Sequence, residues 1–228
     1  MQKLERMSDF NHFKYEWFDP YGPFAPLYLI NDLRLSFLRS LGIDTPNNII
    51  DIGCGAGIAT NKLPSLYPRA EITGLDASAN AIQLATAYAD IYDIKTNFIN
   101  QSALDPINNQ YDLVLCFELI EHLDHPESLI ENCANTTMQN GTFVISTLDR
   151  SLISFIQNIL IAEDLLGLIE PGTHDFTQFL RPSEVIELAE KHGLKLTHMS
   201  GIEIDPITFE ASLSNDQFAN YIIAFKKI

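Results

Sequence analysis

Positive charge is what this chain most lacks. Lys and Arg number 14 against 30 Asp plus Glu, a formal net charge of -16 over 228 residues. A field of that sign repels phosphate backbones, whose binding rests on Lys and Arg displacing counterions, so nucleic acid is not expected as substrate or partner. Cysteine is scarce as well. Cys54, Cys116 and Cys133 are odd in number, far apart and without C-x-x-C spacing, which suggests neither a disulfide framework nor structural zinc and fits a reducing, cytoplasmic setting. No apolar run reaches the roughly 20 residues that cross a bilayer. Met1 to Asp19 also lacks the apolar core and small-residue cleavage site of a signal peptide.

What is present is a regular alternation of strand and helix patterns. Asn48 to Ile52 is a short apolar run that feeds a glycine turn, and a helix over about 58–66 follows, ended by Pro68. Ala70 to Leu75 reads as a second strand, then a helix from Ala79 to Ile91 opened by Ser78 as its cap. Lys95 to Asn100, Tyr111 to Phe117 and Gly141 to Thr147 are further strands, with a helix over Pro126 to Thr136 before the last. After the insertion, a helix from Pro182 to His192 and strands near 194–199 and 220–226 close the chain. Helices of this length between strands imply right-handed crossovers. The expected architecture is α/β, a mainly parallel doubly wound sheet with an antiparallel C-terminal edge strand. Residues 1–228 read as a single domain with an N-terminal helical extension over 1–46 and an amphipathic insertion over 151–180.

The glycine turn is D-x-G-x-G-x-G: Asp51, Gly53, Gly55 and Gly57. Glycines there let the backbone turn sharply and a ligand lie against it without a Cβ in the way. Asp76 ends the second strand 19 residues after Gly57, close to the roughly 20 expected of a ribose-binding carboxylate. Dinucleotide sites use G-x-G-x-x-G and place a pyrophosphate at the helix N-terminus. The tighter spacing and the leading Asp51 suit a cationic adenosyl ligand better. S-adenosylmethionine, which carries a sulfonium and an amino group and no phosphate, is such a ligand, and the pattern is that of a Rossmann-like class I methyltransferase.

After the fourth strand come Glu118, Glu121 and His122. On a helical turn these i, i+3 and i+4 positions share a face, and two carboxylates with an imidazole at the C-terminal sheet edge would suit Mg²⁺. The same acids also suit a solvated helix start, where Glu favours the dipole. The metal reading leads to a catechol-type substrate whose phenolic oxygen the ion would acidify and hold.

Taken together, the segments 18–24 (FDPYGPF), 33–35 (LRL), 51–55 (DIGCG), 118–122 (ELIEH), 146–150 (STLDR) and 171–175 (PGTHD) resemble the ubiquinone-biosynthesis O-methyltransferase family over nearly the whole chain. The resemblance implies S-adenosylmethionine contacts from Arg34, Gly53, Asp76 and Phe117, with Asp51 and Gly55 completing the turn, and Mg²⁺ at Glu118, Glu121 and His122. It implies methylation of the phenolic oxygens of a polyprenyl-hydroxyphenol and of demethylubiquinol, with His174 as candidate base or substrate contact. Asp149 stands where the family commonly has Asn. Peripheral membrane contact through 151–170 and membership of a ubiquinone-biosynthesis complex are further implications. Between Ser151 and Ile169 apolar residues leave only a narrow polar stripe and no Lys or Arg, so attachment is expected to be hydrophobic, or the segment lids a greasy pocket. Two rivals remain: a class I enzyme for another small molecule, and a donor-binding subunit without turnover.

Overall fold

A computed structural model describes residues 25–149, 179–204, 211–214 and 220–228. The chain runs α1 (Ala25–Ser40), β1 (Asn48–Ile52), a 3-10 turn (Thr60–Lys62) leading into α2 (Leu63–Leu66), β2 (Glu71–Asp76), α3 (Ala79–Ile91) and β3 (Asn97–Asn100). It continues with β4 (Tyr111–Phe117), a 3-10 turn (Ile120–His122), α4 (Pro126–Thr136), β5 (Thr137–Leu148), α5 (Pro182–Lys191), β6 (Leu194–Ile204), β7 (Ala211–Ser214) and β8 (Asn220–Lys227). The eight strands form one sheet in the order β3-β2-β1-β4-β5-β8-β6-β7. Pairings β2–β3, β1–β2, β1–β4 and β4–β5 are parallel, whereas β8 and β6 run antiparallel to their neighbours. The strand order reverses between β1 and β4, where open α/β sheets place their ligands.

Residues alternate along the central strands, so the sheet carries a core on each face. On one face Leu113, Leu115 and Phe117 of β4 pack with Ile30, Leu35 and Leu38 of α1. On the other, Val114 and Cys116 pack with Leu129, Ile130 and Cys133 of α4 and Val185 of α5. Ile30, Arg34 and Leu38 recur every four residues on α1 and are all buried, so the apolar stripe that docks this helix carries a guanidinium under the protein surface. Burying each large apolar side chain contributes about 1.5–3 kcal/mol, which holds the polar members of the stripe in place.

Most elements expected from the pattern occur within a residue or two. Ser78 caps α3 by accepting a hydrogen bond from the Ala81 N–H at 3.2 Å. The helix expected over 58–66 is instead a 3-10 turn joined to four α residues, because the glycine turn occupies the preceding positions and Pro64 and Pro68 bracket the rest. β5 begins at Thr137, directly after α4, and the strand edge holds three antiparallel strands, the outermost being the unexpected β7. Among the described residues no helix is long and apolar enough to cross a membrane. The expectations for 151–170 and for His174 lie outside the described residues, as does most of the N-terminal extension.

Candidate functional site

The turn after β1 is built as its glycines suggest. Gly53, Gly55 and Gly57 have φ of 81, 54 and 79°, in the left-handed region that glycine enters without penalty. Space is also decisive at two of them. A Cβ at Gly53 would lie 2.8 Å from Leu119 Cδ2, and one at Gly57 would lie 2.8 Å from Asn61 Nδ2 and 3.0 Å from Phe98 Cζ. The N–H groups of Gly53 and Cys54 both donate to the Leu75 carbonyl, at 2.7 and 3.0 Å, so the turn is tied to the end of β2.

Asp76 completes that tie. Its Oδ2 accepts from the Gly55 N–H at 2.9 Å and its Oδ1 from the Ser78 N–H at 2.8 Å. Burial pushes its pKa up, opposed by these two backbone bonds. Each carboxylate oxygen keeps a further lone pair, so Asp76 can hold the turn and still accept from a ligand hydroxyl.

Asp51 is 2% exposed and accepts a 2.6 Å hydrogen bond from Thr60 Oγ1. Burial raises its pKa to about 6, against the lowering by Thr60 and by the Arg34 charge. With a pKa of about 6 Asp51 is mostly an anion at neutral pH, a buried charge next to the turn that a cationic ligand would offset.

Arg34 lies on the buried stripe of α1, which Asn31 anchors by donating from Nδ2 to the Ile58 carbonyl at 3.3 Å. Its guanidinium carbon lies 5.1 Å from the centre of the Phe117 ring, a cation–π arrangement. Nη2 lies 2.7 Å from Glu118 Oε1, close enough for an ion pair but without hydrogen-bond alignment. Arg34, Asp51, Phe117, Asp76 and the glycines thus gather at the C-terminal ends of β1, β2 and β4.

The E-x-x-E-H segment differs from expectation. Glu118 has φ of 49°, so no helical turn begins there, and the 3-10 turn starts at Ile120. Its N–H donates to the Ser146 carbonyl at 3.0 Å and its Oε1 accepts from Ser146 Oγ at 3.0 Å. Glu121 points into the protein, 3% exposed, with Oε2 accepting from Thr147 Oγ1 at 2.7 Å and Oε1 without a hydrogen-bond partner among the described residues. Burial and then the Glu118 charge push its pKa well up. Among the described residues no three acids, histidines or cysteines are grouped so as to hold a metal ion. Glu118, Glu121 and His122 therefore do not converge as the expected Mg²⁺ triad. The left-handed Glu118 breaks the helical spacing, and its carboxylate is held by Arg34 and Ser146 while that of Glu121 is held by Thr147.

Sequence reading missed Asn31, Thr60, Ser146 and Thr147 as site-building residues. Ser146 pairs in register with Phe117 across the parallel β4–β5 ladder, which is what carries its hydroxyl to Glu118. No short-range signal marks Thr60, which sits nine residues past Asp51.

Comparison with known proteins bears on the fold and the family. The methyltransferase-domain family model matches residues 25–199. The ubiquinone biosynthesis O-methyltransferase of Colwellia psychrerythraea is 35% identical over 98% of this chain and 96% of its own length. That of Shewanella halifaxensis is 33% identical over 98% of this chain and 95% of its own length. Among solved structures, magnesium protoporphyrin IX methyltransferase from Synechocystis with bound S-adenosylmethionine superposes with a TM-score of 0.69 at 15% identity, covering 100% of this chain and 98% of that one. An N-methyltransferase from Bradyrhizobium japonicum in complex with S-adenosylhomocysteine gives a TM-score of 0.65 at 16% identity, covering 100% of this chain and 99% of that one. At such identities these two carry the fold alone. The full-length likeness to the first two carries more: this chain is an S-adenosylmethionine-dependent O-methyltransferase and belongs to the ubiquinone-biosynthesis O-methyltransferase family.

Proposed function

We propose that this enzyme methylates a phenolic hydroxyl of a polyprenylated ubiquinone precursor, 2-polyprenyl-6-hydroxyphenol or 3-demethylubiquinol. The observation that supports the reading most is the likeness, over nearly the whole chain, to relatives that carry that name. The donor supplies a sulfonium-activated methyl carbon, open to in-line displacement by a phenolate oxygen, with the thioether as leaving group.

The protein's part is binding and orientation, which alone can account for several powers of ten in rate. Asp76 accepts from the ribose hydroxyls while clamping Gly55 and Ser78. Arg34 pairs with the donor's carboxylate, and Asp51, held by Thr60, supplies negative charge toward its cationic end. Phe117 offers its ring beside that end. His174 takes the phenolic proton. Magnesium enters no step here, since Glu118, Glu121 and His122 are not grouped as a metal site among the described residues. Residues 151–170 make the apolar contact for the polyprenyl tail or for the membrane that holds it.

The test is to incubate purified protein with S-adenosylmethionine and a short-prenyl catechol, and to follow S-adenosylhomocysteine and the methyl ether. Turnover is expected, unchanged by EDTA. It is expected to fall at least 10-fold in Asp76→Ala, with most of the loss in donor KM. Absence of turnover on any prenyl phenol, with turnover on an amine or carboxylate acceptor, would overturn the substrate class. A loss on EDTA that Mg²⁺ restores would overturn the metal-free scheme.

A further inference from the structure

Arg34 is the one buried cation among the described residues, at 4% exposure. Its surroundings are mostly acids, since the charges of Asp51 and Glu121 both feel it and Glu118 touches it. A buried guanidinium needs a counter-charge, because an unpaired one keeps its desolvation penalty with nothing to offset it. In the protein without ligand, Glu118 supplies that charge.

The pairing is incomplete in a specific way. Nε and Nη2 of Arg34 form the side-on edge of the guanidinium, the edge that grips a carboxylate with two parallel N–H bonds. Both atoms are buried and, among the described residues, neither has an aligned hydrogen-bond acceptor. Glu118 reaches Nη2 with one oxygen, at 2.7 Å, and the same oxygen accepts from Ser146 Oγ. Glu118 does so from a left-handed backbone, φ 49°, a conformation unfavourable for a glutamate. Its side chain is 16% exposed, so it has a way out to water that Arg34 lacks.

We propose that Glu118 is the resident counter-ion of Arg34 and competes with the carboxylate of the methyl donor for the same guanidinium edge. Glu118 thereby sets the affinity for carboxylate-bearing adenosyl ligands. Binding of such a ligand puts two acids at one cation; the incoming one is favoured because it fills both N–H bonds, and Glu118 retreats to Ser146 and solvent. Glu118 acts here through Arg34, as a positioning residue. The inference rests on the donor assignment made above for Arg34.

Calorimetric titration with two ligands separates the two ideas. S-adenosylhomocysteine carries the carboxylate and ammonium; its decarboxylated analogue, 5′-deoxy-5′-(3-aminopropylthio)adenosine, keeps the ammonium only. Removing the competitor in Glu118→Gln is expected to tighten S-adenosylhomocysteine about 10-fold, within the usual range of a coupling between two ligands of one group. The decarboxylated analogue is expected to bind Glu118→Gln no tighter than it binds wild type. Glu118→Asp, whose shorter side chain draws the charge back and suits a left-handed φ, is expected to shift affinity the same way by a smaller factor, and decides the matter if Glu118→Gln does not fold. Unchanged or weaker S-adenosylhomocysteine binding in both variants, or equal tightening for both ligands, would overturn the proposal while leaving the donor assignment intact. Wild-type protein that binds neither ligand would overturn the donor assignment, and this inference with it.

Discussion

Replacing Asp51 by Asn is expected to stabilise the ligand-free protein while weakening donor binding. Asp51 is fully buried, and burial raises its pKa from 3.8 to about 6. An acid whose pKa is higher folded than unfolded binds more protons in the native state between those two values. Stability contributed by this group is therefore complete below pH about 4 and is lost as pH rises through about 6. A shift of about 2 pKa units corresponds to about 3 kcal/mol of penalty at neutral pH. Asparagine carries no charge and can still accept from Thr60 Oγ1, which donates to Asp51 Oδ2 at 2.6 Å. Its amide protons need an acceptor in a buried place, a cost of about 1 kcal/mol. The net gain is about 2 kcal/mol near pH 7.5, a rise in Tm of about 4–8 °C for a chain of this size. Differential scanning calorimetry from pH 4 to 8 should show the variant about 1 kcal/mol less stable than wild type at pH 4, where Asp51 is protonated, and overtaking it as pH rises through about 6. Titration with S-adenosylmethionine at pH 7.5 should show the variant binding at least 10-fold more weakly. A variant less stable than wild type at pH 7.5, or a difference that does not grow with pH, would refute the reasoning.

Gly57→Ala is expected to cost about 1–3 kcal/mol and to abolish donor binding. The new Cβ must take a φ of 79° and meet Asn61 Nδ2 at 2.8 Å and Ala85 Cβ at 3.2 Å; a thermal-shift assay with and without S-adenosylhomocysteine reads both effects. Thr147→Val removes the hydroxyl that donates to Glu121 Oε2 at 2.7 Å and leaves that buried carboxyl with no hydrogen bond from a side chain. A loss of about 1–3 kcal/mol in urea unfolding is expected, with Thr147→Ser, which keeps the hydroxyl, retaining most of the stability; a Thr147→Val variant as stable as wild type would contradict it. Binding to liposomes through 151–170, if it occurs as proposed, is expected to be insensitive to salt, because the stretch has no Lys or Arg before Phe179. Co-sedimentation that weakens sharply between low and high salt would contradict it.

Local pattern determines much of this protein. The run from Asn48 to Ile52 is a strand at its expected bounds because three buried isoleucines, Ile49, Ile50 and Ile52, in a short run feed a glycine turn. Asp51, Gly53, Gly55 and Asp76 gather at adjacent strand ends because the β1–turn–β2 unit is short and its glycines adopt a backbone that other residues resist. Ser78 opens α3 for an equally local reason, a side-chain oxygen three residues before the N–H it accepts from.

Tertiary structure decides what depends on partners distant in sequence. The acids after β4 look alike in sequence, yet Glu118 turns to Arg34 and Ser146, 84 and 28 residues away, while Glu121 is buried against Thr147. That outcome follows from the left-handed φ at Glu118 and from the parallel pairing of β4 with β5, neither of which has a signature in the E-x-x-E-H spacing. Scarcity of positive charge is read from composition alone. That one of those few cations, Arg34, lies buried among acids is settled only when α1 packs its apolar stripe across the sheet, because the helix buries Ile30 and Leu38 and must take the residue between them along.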